Sequence, residues 1–584
     1  MVRRPATNSN LRALLRLAAA ATTWALAAHA LALPVVPGEA AVAPKDIRQA
    51  AILRLAPGSG SQVRLAAMPA AEIEKVRGEN RRTQLKRVAI GRNRDLPRAL
   101  AAAHWLPVAG GFAAQLTLAS PQAGSLRVAL DLAGLPLETQ MVFRGSDASS
   151  PLWGPVRVGD IPDRSVAWWS PVTEGDSQLV EFFVPGATGA PTVPRAVSVS
   201  HLFTTPSSRL TKRTADIGDA GACNVDLLCS TESSSPGFAN AAHSVAEMVF
   251  TANGYTVMCT GTLVNDTDGS TQIPWFYGAN HCFDNSAPPS KSKDEMQSVA
   301  TTLNTLWFFE STTCGGGPAA YQQLSGGAQL VYADAPSDVM LLRLNNAPPP
   351  GAYYAGWDAN PIANGVGVTS FHHPRGDLKK VSQGTMAGFG PPTSGAPDFI
   401  EVRWAHGTTE PGSSGGPVFT SDGSTYSLRG GLWGGSAMCS NLDGLDYFSR
   451  LDRAYPALER YLNPTFAPFA NFTDLWWDPN ESGWGINVVQ HPSNTIFAVW
   501  YTYDANHRML WLHMSSGRWT SAGTYTGDLY ETSGPPANGP FDATRVQRKV
   551  VGAATLSFSG ANSGTLTFTY YGMTGSKNLT RLDY

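Results

Sequence analysis

The chain has 584 residues, which suggests about three domains. Its 43 basic and 45 acidic side chains leave a net charge of −2, so charge gives no reason to expect a nucleic acid or a strongly acidic partner. Glycine (58) and proline (42) are abundant and only 15% of residues are charged, a composition typical of turn-rich extracellular β-proteins.

The first 32 residues have the pattern of an export signal. Arg3, Arg4, Arg12 and Arg16 precede or enter a small-residue apolar stretch, LAAAATTWALAAHALA, that ends in the small-x-small motif Ala30-Leu31-Ala32. The alternative is a buried helix of the first domain. No later apolar run is long enough to span a bilayer. We therefore expect a signal peptide over residues 1–32 and a secreted, soluble protein.

Residues 33–217 form a cysteine-free region with apolar segments such as SLRVALDLAGLPL and SQLVEFFVPG. The basic stretch from Arg77 to Arg98 is interpreted as a solvated face. The region ends in SSRLTKRTADIGDAGAC, a polar connector that should be open to proteolysis. We expect a pro-region that is removed by cleavage near Lys212-Arg213; a permanent N-terminal domain is the alternative.

Cysteine placement marks a separate central domain. An even number of cysteines in an exported protein predicts disulfides, and six cysteines allow fifteen pairings. A zinc site is the rival interpretation, but no CxxC spacing occurs. All six lie inside one central span: Cys223, Cys229, Cys259, Cys282, Cys314 and Cys439.

The central span, 218–464, alternates short strand-like runs with turn signals, as in YTVMCTGTLV, DVMLLRL and YSLRGGLWGG. This pattern predicts an all-β sandwich or barrel. A helix is expected at RLDRAYPALERYL, followed by a boundary at the proline-punctuated LNPTFAPF.

The remaining residues, 465–584, lack cysteine and carry six of the sixteen tryptophans. Aromatic residues recur on strand-like segments such as TIFAVWYTYD and GTLTFTYYG, which predicts a small β-rich module. The aromatic residues are interpreted mainly as core. A cell-surface or glycan-binding face is the functional alternative.

A serine nucleophile needs a histidine base, a carboxylate that orients it, and backbone N–H groups aimed at the oxyanion. The glycine-rich segment from Gly412 to Pro417 can supply the hydroxyl and the N–H groups, and the apolar segment before His281 can position the base. Asp338, which precedes the apolar run VMLLRL, is the candidate carboxylate. Asp334 and Asp358 are rivals in turn-like surroundings.

The elements Ala-Asn-His281-Cys and Gly-Ser-Ser-Gly-Gly-Pro, in the order His, Asp, Ser, resemble those of trypsin-like serine proteases. The resemblance implies a mainly β, chymotrypsin-like double β-barrel, with the pro-region before it and the β-rich module after it. In that family the nucleophile directly precedes Gly-Gly-Pro, which makes it Ser414. Ser413 takes the place of the family's aspartate, so activation by insertion of a new N-terminus is not expected. The oxyanion hole would be the N–H groups of Gly412 and Ser414.

The segments CNVDLLC, CTGTLVNDT, SDVMLLRLNN, YAGWDAN, FHHPRGDLKKVS and GTTEPGSSGGP sharpen the resemblance to bacterial lysyl endopeptidases of the Achromobacter protease type. The resemblance runs from Cys223 to Arg460. It implies the disulfides Cys223–Cys439, Cys229–Cys314 and Cys259–Cys282. The C-terminal module lies outside it.

The same resemblance implies where the substrate's basic side chain binds. The position that holds trypsin's acid is Thr408 here, whereas lysyl endopeptidases take their acid from a later strand. Asp446 matches that position, with Asp443 as a nearby competitor. Phe389 and Trp433 stand where the lysine enzymes have a stacked Trp-His pair. Lysine is therefore the expected residue before the cut, with arginine left open.

His372 and His373 look like a metal pair, but adjacent strand residues point to opposite faces, so no metal site is expected. No cofactor and no membrane span are expected either. The first functional hypothesis is a secreted serine endopeptidase, made as a precursor, that cuts protein or peptide substrates through an acyl-enzyme. The second is a catalytically inactive adhesion or glycan-binding protein on a protease scaffold.

Overall fold

The computed structural model describes residues 33–42, 51–81, 85–97, 103–148, 150–186, 191–205, 219–268, 272–285, 290–390, 398–463, 468–492, 494–515, 517–536, 538–539 and 541–582. The expected signal peptide and the Lys212-Arg213 site lie outside these residues. Within them, no helix is both long enough and apolar enough to cross a bilayer.

The N-terminal region contains thirteen strands and one helix among the residues described. One sheet has the order β3-β6-β12-β8-β9, with β5 beside β6, and packs its apolar face over Leu116, Phe143 and Phe182. The helix α1 spans Ala70–Arg81, and a short 3-10 turn spans Val158–Asp160. The strands are β1 (Val35–Val36), β2 (Glu39–Ala40), β3 (Ser61–Arg64), β4 (Val88–Asp95), β5 (Trp105–Val108), β6 (Gly111–Ala119), β7 (Ser125–Asp131), β8 (Gln140–Gly145), β9 (Trp153–Arg157), β10 (Trp168–Trp169), β11 (Thr173–Glu174), β12 (Ser177–Pro185) and β13 (Arg195–Leu202).

The central region is also built mainly from strands. Its helices are α2 (Pro236–His243), α3 (Asn280–Phe283), α4 (Lys293–Ala300) and α5 (Leu451–Leu462), with 3-10 turns at Leu227–Cys229 and Pro374–Gly376. The strands are β14 (Val225–Asp226), β15 (Val245–Ala252), β16 (Tyr255–Val264), β17 (Trp275–Ala279), β18 (Asn304–Trp307), β19 (Gln322–Leu324), β20 (Ala328–Asp334), β21 (Val339–Leu344), β22 (Tyr353–Tyr354), β23 (Gly356–Asp358), β24 (Gly367–His372), β25 (Lys380–Gly390), β26 (Phe399–His406), β27 (Pro417–Ser421), β28 (Tyr426–Gly435) and β29 (Leu445–Phe448).

Six strands of the central region close into a ring. The order β28-β27-β24-β25-β26-β29 returns to its start because β29 also pairs with β28. A second sheet contains β15, β16, β17, β20 and β21, and its pairings among the described residues leave it open. The prediction of a mainly β protein is confirmed, and so is the helix at RLDRAYPALERYL. The arrangement as two complete barrels stays a prediction.

The N-terminal and central regions share a sheet. Strand β4 lies between β13 of its own region and β16 of the central region, where Val88 pairs with Met258 and Arg92 with Tyr255. The preceding segment reaches further, since β1 pairs with β23 and β2 with β22. The N-terminal region is therefore bound to the central region through backbone hydrogen bonds as well as side-chain packing.

Three disulfides connect the central region: Cys223–Cys439, Cys229–Cys314 and Cys259–Cys282. These are the pairs that the resemblance implies. The third joins β16 to α3, directly beside His281. Closing loops restricts the unfolded chain, and the bridge beside His281 also limits how far α3 can move from β16.

The C-terminal region forms a separate antiparallel sheet with the order β33-β32-β31-β30-β38-β37-β36-β35-β34, which closes on itself where His513 of β33 meets Tyr530 of β35. Buried aromatic rings fill its centre, including Phe472, Trp476 and Phe558. The strands are β30 (Asp474–Trp477), β31 (Gly485–Gln490), β32 (Ile496–Tyr503), β33 (Met509–Met514), β34 (Gly517–Ser521), β35 (Thr524–Ser533), β36 (Gln547–Gly560), β37 (Ser563–Tyr570) and β38 (Met573–Arg581), with a 3-10 turn at Ala543–Arg545.

Candidate active site

His281 lies at the junction between the two central sheets. The apolar strand β17 runs into the short helix α3, which carries His281 and Cys282. The residue is only 5% exposed. Its Nδ1 lies 2.8 Å from Asp338 Oδ2, and its Nε2 lies 2.7 Å from Ser414 Oγ. The imidazole therefore bridges a carboxylate and a hydroxyl, as a base that removes a serine proton must do.

Asp338 is held in place by its backbone and its neighbours. It has a φ of 55°, a left-handed conformation that is uncommon for a residue other than glycine. Its carbonyl oxygen accepts from the Asn280 N–H at 3.1 Å, and its Oδ1 accepts from the His281 N–H at 2.9 Å. Both oxygens of the carboxylate therefore contact His281, and the ring orientation follows from this contact.

The loop before β27 presents Ser414 and two inward N–H groups. Gly412 has a φ of 107° and Gly415 a φ of 77°. A Cβ atom on Gly412 would lie 2.5 Å from the carbonyl oxygen of His373, so a larger residue would displace this turn. The N–H groups of Gly412 and Ser414 converge on one carbonyl oxygen, that of Lys86, with the second at 3.1 Å.

The two serines of the loop point in different directions. Ser413 Oγ lies 2.8 Å from His372 Nδ1, and the same ring's Nε2 lies 3.0 Å from Ser382 Oγ. Burial lowers the pKa of His372 to about 3, so this ring is neutral at ordinary pH. Of the two hydroxyls, that of Ser414 is the one hydrogen-bonded to His281.

Asp446 lies beside this loop, at the inner end of a buried pocket that the Lys86 side chain fills. It belongs to β29 and is completely buried. Its Oδ2 accepts hydrogen bonds from Trp404 Nε1 at 2.7 Å and from Thr409 Oγ1 at 2.6 Å. The Oδ1 atom contacts the ammonium of Lys86 at 2.5 Å. A buried carboxylate with these donors is suited to an incoming cation.

Lys86 comes from the N-terminal region, 360 residues before Asp446 in the sequence, and is 2% exposed. Its Nζ also donates to the carbonyl oxygens of Ala437 at 2.7 Å and Thr409 at 3.2 Å. Burial lowers the pKa of Lys86, and the Asp446 carboxylate opposes this shift.

The interpretation of the Arg77–Arg98 stretch as a solvated face is wrong for two of its residues. Lys86 is 2% exposed and Arg87 is 8% exposed. The sequence signal for this site is a lysine that follows an apolar residue, Leu85-Lys86, inside the expected pro-region.

The rival carboxylates lie in other places. Asp334 caps a turn by accepting from the N–H of Ser337 at 3.0 Å, and Asp358 pairs with Arg429. Asp443 is exposed, and its carbonyl oxygen accepts from Arg403 at 2.6 Å. Thr408 is fully buried and offers no charge. Of the candidate carboxylates, the structure brings Asp338 to His281 and Asp446 to Lys86.

Trp433 and Phe389 differ in their relation to the pocket. Trp433 lies on β28 next to Gly434, which pairs with Leu85, and its ring packs against Phe399 and Tyr447. Phe389 is 38% exposed and lies under the guanidinium of Arg450, 3.9 Å from the ring centre. Phe389 therefore pairs with a cation of the chain itself.

Glu247 and His373 lie in a buried cluster behind the loop. His373 stacks on Phe309, its Nδ1 lies 3.2 Å from the Asp377 carbonyl oxygen, and Glu247 Oε2 is 3.8 Å from the same nitrogen. His372 and His373 thus contact different partners, and no cluster of metal-binding side chains occurs among the described residues. Burial raises the pKa of Glu247 to about 8, and the Asp377 carboxylate adds to this shift.

The raised pKa of Glu247 predicts a pH-dependent stability. Between about pH 4.3 and pH 8 the unfolded chain loses this proton while the folded chain keeps it, so stability falls as pH rises through this window. Glu247→Gln should raise the melting temperature at pH 8 by more than at pH 4, since each pKa unit is worth about 1.4 kcal/mol. Thermal melts in an inactive Ser414→Ala background would measure the difference. An equal change in melting temperature at pH 4 and pH 8 would contradict the predicted pH dependence.

Comparison with known proteins identifies two matched segments. The profile of the lysyl endopeptidase N-terminal domain matches residues 64–203, and that of the lysyl endopeptidase C-terminal domain matches residues 217–449. A curated protein of Pseudomonas aeruginosa, named lysyl endopeptidase, is 36% identical over 371 residues. The alignment covers 61% of this chain and 76% of that protein.

Among solved structures, two of the Rv3671c protease of M. tuberculosis are similar to this chain. One is an inactive mutant form (15% identity, TM-score 0.25), and the other is the active form (17% identity, TM-score 0.26). These alignments cover 42% and 43% of this chain and 95% and 92% of the solved chains. TM-scores at this level support no structural inference.

Proposed function

We propose that this chain, which belongs to the lysyl endopeptidase family, cuts peptide bonds after lysine with Ser414 as nucleophile, His281 as general base and Asp338 as the group that orients His281. The enzyme is a serine endopeptidase. One observation carries the assignment of the site. A lysine side chain reaches Asp446 while the carbonyl oxygen of the same residue accepts from the N–H groups of Gly412 and Ser414.

The proposed chemistry follows from these contacts. Ser414 Oγ attacks the carbonyl carbon and its proton passes to His281 Nε2, 2.7 Å away. The N–H groups of Gly412 and Ser414 stabilise the negative oxygen that forms. His281 then gives the proton to the leaving amine, and an acyl-enzyme remains on Ser414. Water, deprotonated by His281, releases the acid.

Lysine preference is supported by the polar groups around the ammonium. An ammonium has three donors, and Asp446, Thr409 and Ala437 supply acceptors for it. The pocket therefore suits a single tetrahedral cation. A planar guanidinium, which has five donors in a fixed fork, would need a different arrangement of acceptors.

The remaining parts of the proposal concern the flanking regions. We propose that residues 1–32 direct secretion, that residues 33–217 form a pro-region, that residues 218–464 form the protease domain, and that residues 465–584 are an accessory β-rich module.

The second candidate function, an inactive binding protein on a protease scaffold, is disfavoured. A scaffold without catalytic use has no need to keep the hydrogen bonds Asp338–His281 and His281–Ser414 together with two converging N–H groups.

The function is tested by incubating the matured protein with denatured proteins of known sequence and reading all new termini by mass spectrometry. Cuts should fall after lysine in preference to arginine by at least about tenfold, because the pocket is built for an ammonium. Labelling by an organophosphonate should map to Ser414. Cuts that are equally frequent after arginine would contradict lysine preference, and cuts after uncharged residues would contradict the role of Asp446.

A further inference from the structure

Residues Leu85–Val88 cross the site between two strand pairings. Leu85 pairs antiparallel with Gly434 on the rim strand β28, and Val88 begins β4, which pairs with β16. The backbone between them passes directly over the Ser414 loop. A peptide substrate has to bind in the same way, because the oxyanion donors and the pocket fix both its position and its direction.

Lys86 occupies both recognition sites at once. Its ammonium contacts Asp446, Thr409 and Ala437, and its carbonyl oxygen accepts from the N–H groups of Gly412 and Ser414. The loop that holds this carbonyl oxygen also carries Ser414, whose hydroxyl hydrogen-bonds to His281. A lysine packed only for stability would need an acceptor for its ammonium, but it would not need its own carbonyl oxygen in a pair of converging N–H groups.

The chain after Lys86 is held equally firmly. The guanidinium of Arg87 donates to the carbonyl oxygens of His281 at 3.2 Å and Cys282 at 3.1 Å. Strand β4 then continues with β16 on one side and β13 on the other. The residues on both sides of the Lys86–Arg87 peptide bond are therefore fixed relative to Ser414.

We propose that Lys86–Arg87 is an internal substrate bond: it fills the site of the precursor and is the bond that the precursor cuts in its own chain. This proposal rests on the proposed function and adds the specific bond. It also differs from the connector cleavage expected near Lys212-Arg213, since it lies before most of the N-terminal region.

The cut is a hydrolysis in two steps. Ser414 Oγ bonds to the Lys86 carbonyl carbon, the C–N bond to Arg87 breaks, and the serine proton reaches the Arg87 nitrogen through His281. Water then adds to the Lys86 acyl group and frees Ser414. The products are a carboxylate on Lys86 and an amine on Arg87.

The two products should stay together after the cut. The earlier piece keeps β1 paired with β23, β2 with β22 and β3 with β6. The later piece keeps β4 in its sheet. The cut should therefore be visible under denaturing conditions and invisible in a native separation.

Occupancy of the site can be measured without catalysis, in the full chain carrying Ser414→Ala. A fluorescent peptide Gln-Leu-Lys-Arg-Val is titrated by anisotropy. The tethered Lys86 acts at a high effective concentration, so adding Lys86→Met, which keeps the stem but removes the ammonium, should tighten peptide binding by at least about tenfold. Lys75→Met, at an exposed lysine of α1, is the matched control and should leave binding unchanged.

Circular dichroism in the aromatic region confirms that each variant is folded, and Lys86→Arg provides a second variant that keeps a cation. The proposal would be supported if the Lys86→Arg protein binds the peptide more tightly than the chain with its natural lysine does. Peptide binding that is the same with and without Lys86→Met, in folded protein, would overturn it. Because this assay needs no turnover, it is independent of whether the mature enzyme cuts after lysine.

The cut itself is followed in the active chain by N-terminal sequencing of refolding samples. We expect a fragment that begins Arg-Val-Ala-Ile, at a rate that does not change on tenfold dilution, because the bond is already in the site. Ser414→Ala and Lys86→Met should both lack the fragment, and Lys75→Met should form it. Absence of the fragment at all times in the active chain, or its presence in pure Ser414→Ala protein, would overturn the proposal. Lysine cleavage of added proteins without this fragment would leave the proposed function intact.

Discussion

Ser414→Ala is expected to lower kcat for peptide hydrolysis by about a million-fold, the loss typical of removing the nucleophile from a triad that acts as a unit. The hydrogen bond between Ser414 Oγ and His281 Nε2 disappears, while the backbone N–H groups remain. A small residual rate above that in water should therefore persist. The measurement is peptide hydrolysis by purified protein, together with loss of organophosphonate labelling.

Ser413→Ala is the matched control because it removes the adjacent hydroxyl. That hydroxyl contacts His372 and accepts from the N–H of Glu410 at 3.3 Å, so its loss should affect the shape of the loop more than the chemistry. We expect a loss of less than about a hundredfold, since one or two hydrogen bonds of about 1 kcal/mol each are involved. If the Ser413→Ala protein is inactive and the Ser414→Ala protein still reacts with the organophosphonate, the nucleophile is Ser413 instead.

Asp446→Asn is expected to lower kcat/KM for cleavage after lysine by at least about a hundredfold. An amide removes the charge that balances a buried ammonium, and breaking a buried ion pair costs about 3–5 kcal/mol, or about two to four powers of ten. Trp404 and Thr409 would also face an amide in place of the carboxylate oxygen that they contact. The kinetics of a lysine peptide measure the loss.

Two controls separate recognition from catalysis. An uncharged activated ester should lose much less rate with Asp446→Asn, because His281, Asp338 and Ser414 are untouched. Asp443→Asn, three residues away and exposed, should leave the lysine peptide unaffected. Equal losses of rate on the ester and the lysine peptide would indicate a structural role for Asp446. A loss of rate with Asp443→Asn would indicate that Asp443 binds the substrate's lysine side chain instead.

Local patterns predicted much of the site because its parts are carried by short, self-contained segments. The loop around Ser414 needs glycine where φ is positive, and His281 follows an apolar strand beside a cysteine. Asp338 precedes a strand of buried residues. Each requirement is imposed by a few neighbouring residues, so it can be read without knowing the fold.

The burial of Lys86 does not follow from the local sequence, because it depends on contacts that no local pattern contains. The stretch around it is basic, and charged residues are usually solvated. Its carboxylate partner, Asp446, is 360 residues further along the chain. Only the pairing of β4 with β16, between two regions, brings the lysine into the pocket.

The sequence by itself therefore determined the mainly β type of fold and predicted the candidate reactive groups and the candidate acid, because strand alternation, turn glycines and motif spacing are local constraints. The tertiary structure decided which carboxylates meet which cations and what occupies the site. These contacts join distant strands, and the free energy that selects them comes from sheet pairing and burial summed over the two regions. A basic residue is thus solvated or buried according to its sheet neighbours, a property that composition around it does not specify.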